Sequence, residues 1–234
     1  IGKWMKMEKE ITLLTSVGSA ICGAAAILGA ESTIKSKPYQ TAVAISTVVI
    51  FGTISMFLYP VLYRNGIVDL TPDQMGIYTG STLHEVAHVV GAGNAMGKEI
   101  SDVGIIVKMI RVIMLVPALL VIGYFVARAS VQKINQHQPA EGGKSKITIT
   151  WFALVFLAVI GFNSFDLLPQ PAISFINDFD TFLLTMAMTA LGAETSIEKF
   201  KKAGVKPFLL ASFLYIWLLA GGYLLVRYIT PYFV

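Results

Sequence analysis

The chain is 234 residues long, 55% apolar and 14% charged, with a mean hydropathy of +0.70. Soluble domains carry about 25% charged residues, and this composition excludes a disordered chain, a disulfide scaffold and a collagen-like fibre. The net charge of +4 forms no basic face, so the expected partner is a lipid bilayer and not a nucleic acid. Cys22 is the single cysteine, which leaves no internal disulfide and no Cys-paired zinc site. The chain opens at Ile1 with neither an initiator Met nor a signal-peptide layout, and is expected to be part of a longer protein.

Apolar runs of about 20 residues follow one another over 11–30, 42–62, 77–97, 103–126, 147–168, 176–193 and 207–229. The second, fourth, fifth and seventh are rich in Val, Ile, Leu and Phe and suit helices that face lipid. The first (SVGSAICGAAAILGA), the third (GSTLHEVAHVVGAG) and the sixth differ, being richer in small residues. Small residues let backbones approach, and Gly lets a helix unwind, so such runs belong in the protein interior. Pro60, Pro117 and Pro169 mark kinks or span ends. The longest linker, 128–146, is polar and short, so no soluble domain is hidden in the chain.

If the runs alternate in direction, one side of the membrane receives Lys3, Lys6, Lys9, Arg64, Arg128, Lys133, Lys144, Lys146, Lys199, Lys201, Lys202 and Lys206. The other side receives only Lys35, Lys37, Lys98 and Arg227, so the chain is expected to start in the cytoplasm and end outside. The first run ends LGAESTIK and the sixth ends LGAETSIEK, each followed by Lys-Pro and another apolar run. These runs lie five crossings apart and traverse the membrane in opposite senses, the trace of an inverted repeat. The expected fold is all-α and polytopic: an inverted-repeat, broken-helix transporter of about ten helices, the last seven present here. Residues 1–234 then form one transmembrane domain, with 1–75 ending the first repeat and 76–234 forming the second.

The string HEVAH, His84 to His88, matches H-E-x-x-H, which on a helix places two imidazoles over one zinc with Glu85 as general base. A catalytic zinc needs a third protein ligand, and Asp166 is a weak candidate near a membrane boundary. The intramembrane metalloprotease using His84, Glu85 and His88 is the alternative reading. The preferred one makes His84 and Glu85 an ion or proton pathway, since ionisable groups inside a span usually mark one.

Four stretches, GSAICGAAAILGAE, VIFGTISMFLYP, GIYTGSTLHEVAHVVGAG and VKMIRVIML, together resemble the YeiH-type family of bacterial inner-membrane proteins assigned to sulfate export. The similarity runs over 17–228. The family commonly reads His-Glu-Val-Ala-Gln where this chain has HEVAH, so His88 departs from the pattern, which speaks against zinc. The resemblance implies about ten helices and a secondary transporter, not an enzyme, exporting sulfate or a related small oxyanion from the cell. An ion-coupled transporter of another anion is the near alternative, with a proton or sodium as coupling ion.

Half-helix N-termini at breaks carry partial positive charge and can hold an anion. The lining expected from the residues is Gly18, Ser19, Cys22 and Gly23 in the first run, with Gly80, Ser81 and Thr82 in the third. Thr189 to Thr195 around Gly192 is the repeat partner. All of these could instead serve tight helix packing. Lys108 and Arg111 share one helix face at i and i+3, and each cation at mid-span costs about 2.5–3.5 kcal/mol even on a lenient scale. Either they face a wet interior and an anionic substrate, or they sit near the outer boundary and snorkel. No cofactor or metal is expected, and no ATP-binding motif occurs, so primary pumping would need a partner subunit.

Overall fold

The computed structural model describes residues 1–134, 169–194 and 204–230, with isolated positions between 155 and 165. Among these the chain is helical, with no strand. The helices are α1 (Lys9–Ala20), α2 (Ala24–Ile34), α3 (Pro38–Arg64), α4 (Pro72–Thr82), α5 (Val86–Met96), α6 (Lys98–Ile113), α7 (Leu115–Ile134), α8 (Gln170–Glu194) and α9 (Val205–Ile229).

Three of the expected runs are not single helices. The first is α1 plus α2, interrupted where Ile21 leaves helical geometry and Gly23 adopts φ +78°. The third is α4 plus α5, interrupted by Leu83 and Glu85 in extended backbone. The fourth is α6 plus α7, which together give an apolar stretch of 29 residues, Lys98–Val126, whose 18-residue window has a mean hydropathy of 2.6. Pro117 falls in the first turn of α7, where its missing N–H deprives the helix of nothing. Pro60, by contrast, lies inside α3 close to its end at Arg64.

Helix ends follow local chemistry. Thr71 and Gln74 form a reciprocal capping box ahead of α4, at 3.3 and 3.1 Å, with Pro72 as its first residue. Glu8 accepts from the Tyr39 hydroxyl at 2.6 Å and from the Gln40 amide, which ties the start of α1 to the start of α3. The tyrosine hydrogen bond is the main cause holding the Glu8 carboxyl below its ordinary range. α8 begins at Gln170, ahead of the expected sixth run over 176–193, with Pro171 in its first turn. Most of the fifth run, 147–168, and most of the linker, 128–146, lie outside the described residues.

Two apolar clusters flank the interruptions. Leu14, Cys22, Ile27, Val48 and Leu115 pack around the first, and Tyr59, Met75, Tyr78, Leu83 and Val89 around the second. Tyr59 and Tyr78 stack with ring centroids 4.8 Å apart. α4 and α6 run in close contact because Gly80 faces Gly104: a Cβ on Gly80 would lie 2.3 Å from the Gly104 carbonyl oxygen.

The outside of the molecule is apolar. Phe57, Ile106, Phe125, Phe179, Phe213 and Trp217 are all exposed, a surface no soluble monomer sustains. α3, the 98–126 stretch and α9 are each long and apolar enough to cross a bilayer, so the chain is an all-α, polytopic membrane protein.

Candidate functional site

The two interruptions touch. A Cβ on Gly23 would lie 2.8 Å from Glu85 Cγ and 2.9 Å from the His84 carbonyl oxygen, so only glycine fits, on both space and φ. Four half-helices therefore meet at one place, and the ends of each kind are sorted. α1 and α4 bring their C-terminal carbonyls to it, while α2 and α5 begin there.

The carbonyl side is occupied by the two cations of α6. Lys108 is completely buried, and its Nζ donates to the carbonyls of Leu83 and His84, each at 2.7 Å. Arg111 donates through Nη1 to Leu83 at 3.1 Å and to Gly80 at 3.5 Å, and through Nη2 to Ala20 at 3.0 Å. One guanidinium thus fastens the end of α1 to the end of α4. Both cations meet negative helix ends, the favourable sense of the macrodipole, so the sequence's choice between snorkelling and an interior role resolves to the interior. Carbonyl dipoles solvate a charge without cancelling it, and an unneutralised ion in an apolar interior still costs several kcal/mol.

The amide side meets a carboxylate. Glu85 is the N-cap of α5, and the backbone N–H of Ala24 in the first turn of α2 hydrogen-bonds its side chain. Its Oε1 is buried without a hydrogen-bond partner. The imidazole that meets it is His88, whose Nδ1 lies 4.0 Å from Glu85 Oε2. The tautomer of His88 follows from its other side. Thr53 donates its hydroxyl proton to the Val49 carbonyl at 2.8 Å, so it can only accept from His88 Nε2, 3.5 Å away. With Nε2 as the donor, Nδ1 is an acceptor 4.0 Å from the carboxylate oxygen and has no hydrogen-bond partner. Two acceptors in that position have room for one shared proton. Gly52 makes the slot for this ring: a Cβ there would fall 2.5 Å from its Nδ1 and Cε1.

His84 is 2% exposed, lies in the interruption, and leaves Nδ1 without a partner. His84 and Glu85 both precede α5, which starts at Val86, so the H-E-x-x-H string does not present two imidazoles on one helical face. Among the described residues no three of His, Cys, Asp and Glu come together as a metal site.

The other residues singled out by sequence divide. Cys22 and Gly23 lie in the first interruption, and Ser19 is buried one residue before the end of α1. Gly18 packs, since a Cβ there would strike Ile27 at 2.6 Å. Ser81 donates to the Tyr78 carbonyl at 3.2 Å, and Thr82 pairs with the Tyr59 hydroxyl at 2.8 Å. Thr189 is exposed on α8 and donates back to the Thr185 carbonyl at 2.8 Å. Gly192 lies on the same helix, which runs unbroken past it, and Thr195 is outside the described residues. Sequence reasoning missed Gly52, Thr53 and the buried, unpartnered hydroxyl of Thr15. A polar residue beside a glycine in an apolar run was the available signal for the first two.

The family described as conserved hypothetical protein 698 matches residues 1–211. A UPF0324 membrane protein of Bacteroides thetaiotaomicron is 68% identical over 232 residues, 99% of this chain and 68% of its own length. One from Pseudomonas aeruginosa is 44% identical over 94% of this chain and 62% of its own. The UPF0324 inner membrane protein YeiH of Escherichia coli K12 is 46% identical over 92% of this chain. The chain spans about 60% of that relative's length. No solved structure matches with significance.

Proposed function

We propose that this chain, which belongs to the conserved hypothetical protein 698 family and is a multi-pass protein of the bacterial inner membrane, works within a secondary transporter that exports a small inorganic oxyanion. The observation that carries this reading is the charge count at the crossing of the two broken helices. Counted as cations, Lys108 and Arg111 contribute two positive charges, and Glu85 is the carboxylate facing Lys108. With Glu85 ionised the cluster is one positive charge in excess. With Glu85 protonated it is two in excess, which a dianion such as sulfate balances. The broken-helix arrangement, with half-helix termini aimed at one point, is the usual way secondary transporters hold ions at the midplane.

Glu85 then couples a proton to the anion. Its carboxylate occupies the α2 N-terminus, where an incoming anion would find the same N–H groups, and two unneutralised anions do not share an apolar site. The anion enters as Glu85 takes a proton, which His88 Nδ1 is placed to share. A dianion leaving with one proton moves one net negative charge outward. An interior-negative potential favours this by about 2.3 kcal/mol per 100 mV, against roughly 1.4 kcal/mol for each unit of pH gradient. Export follows from that balance.

The test is flux of labelled sulfate, sulfite and organic anions in vesicles containing the full-length protein. Saturable sulfate or sulfite efflux, accelerated by an interior-negative potential, is the expected result. No movement of any anion under either potential would overturn the reading.

A further inference from the structure

The carbonyl side of the crossing has the make-up of a cation site. Leu83 and His84 lie in unwound backbone just after α4, and their carbonyls converge at 2.7 Å on a single nitrogen. The Leu83 oxygen serves Arg111 as well, and Ala20, the last residue of α1, adds a carbonyl to the same group of charges. Half-helix C-termini and unwound carbonyls are what transporters use to bind a coupling sodium. Here the occupant is the chain's own ammonium, completely buried and delivered by α6.

We propose that this is a monovalent-cation site permanently filled by the tethered ammonium of Lys108, so that the protein takes no coupling sodium. Removing the ammonium uncovers the site for a free small cation. The inference concerns the carbonyl side alone and stands whether or not the protein carries sulfate.

The charged and titratable groups facing Lys108 are Arg111 on its own helix, Cys22 in the first interruption and Glu85 in the second, with the His84 and His88 imidazoles beside them. Taking away the ammonium leaves Arg111 and Glu85 in balance, one charge below the parent, leaves the His84 carbonyl without its donor, and leaves the Leu83 carbonyl with Arg111 alone. One monovalent cation restores both the charge and the coordination. A bulky quaternary ion does not fit the space of an ammonium group.

The experiment compares the full-length parent with Lys108→Ala in detergent. Unfolding temperature is followed as sodium, potassium, methylammonium or choline chloride is titrated at constant ionic strength. The parent should show the same unfolding temperature in every salt. The variant should melt lower in choline and rise, saturably, with at least one of the three small cations. A variant that responds identically to all four salts would show that the carbonyls make no site. A parent stabilised by sodium specifically would show that the site is not filled. If Lys108→Ala gives no folded protein, Lys108→Met, which keeps the length of the side chain, is read in the same way. Should neither variant fold, a parent stabilised by sodium over choline overturns the proposal.

Discussion

The two interrupted helices solve the same problem with opposite materials. Between α1 and α2 the interruption is Ile21, Cys22 and Gly23, and it brings backbone: a glycine at positive φ and two helix ends. Between α4 and α5 it is Leu83, His84 and Glu85, and it brings side chains: a carboxylate that caps one helix while meeting the start of another, and an imidazole. The first makes room and the second makes chemistry. The crossing therefore depends on the first by shape and on the second by charge, and these dependencies separate experimentally.

Shape should give the largest effect. Gly23→Ala adds a Cβ 2.8 Å from Glu85 Cγ at φ +78°, whereas Gly66→Ala, at φ +67°, meets nothing within 4 Å. Strained backbone costs of order 1–3 kcal/mol and overpacking about as much again. Gly23→Ala should therefore lose about 2–5 kcal/mol by thermal unfolding, and Gly66→Ala about 1. Equal losses would show that the first interruption does not press on the second.

Charge is tested at Glu85. Glu85→Gln keeps a carbonyl for the Ala24 N–H while removing the titration. Its fold should survive, and anion flux should lose its dependence on pH. A variant that carries anion with the parent's pH profile would take Glu85 out of the coupling.

The bond between the two regions comes next. Arg111 reaches Ala20 from one and Leu83 from the other. Arg111→Lys cannot span both with a single ammonium, so stability should fall by about 1.5–3 kcal/mol, the worth of charged hydrogen bonds. A double-mutant cycle with Gly23→Ala should give a coupling energy different from zero, since both changes act on one junction.

The smallest effect belongs to the support of His88. Thr53→Val removes the acceptor for Nε2, 3.5 Å away, and should cost about 0.5–1.5 kcal/mol. The informative readout is the pH profile of flux. With Thr53 gone Nε2 loses its anchor and the two ring nitrogens become interchangeable, so the profile should shift while Glu85→Gln remains flat.

Much of this was legible in the amino-acid sequence. Composition and run length determine a polytopic, all-helical membrane protein, because a bilayer tolerates little else. The Gly- and Ala-rich first and third runs mark the helices that break. HEVAH with Lys108 and Arg111 names the charged residues of the crossing, because ionisable side chains stand out in apolar runs. What tertiary structure alone decided is who faces whom. Partners 91 residues apart, such as Arg111 and the Ala20 carbonyl, leave no periodic trace in a sequence, and a carbonyl acceptor has no letter of its own. The sequence offered the two cations a substrate or the outer boundary, whereas the folded chain supplies them with helix ends. Likewise H-E-x-x-H is a zinc motif only if the backbone through it is helical, and contact with Gly23 from another part of the chain accompanies the extended Leu83 and Glu85 that make it otherwise.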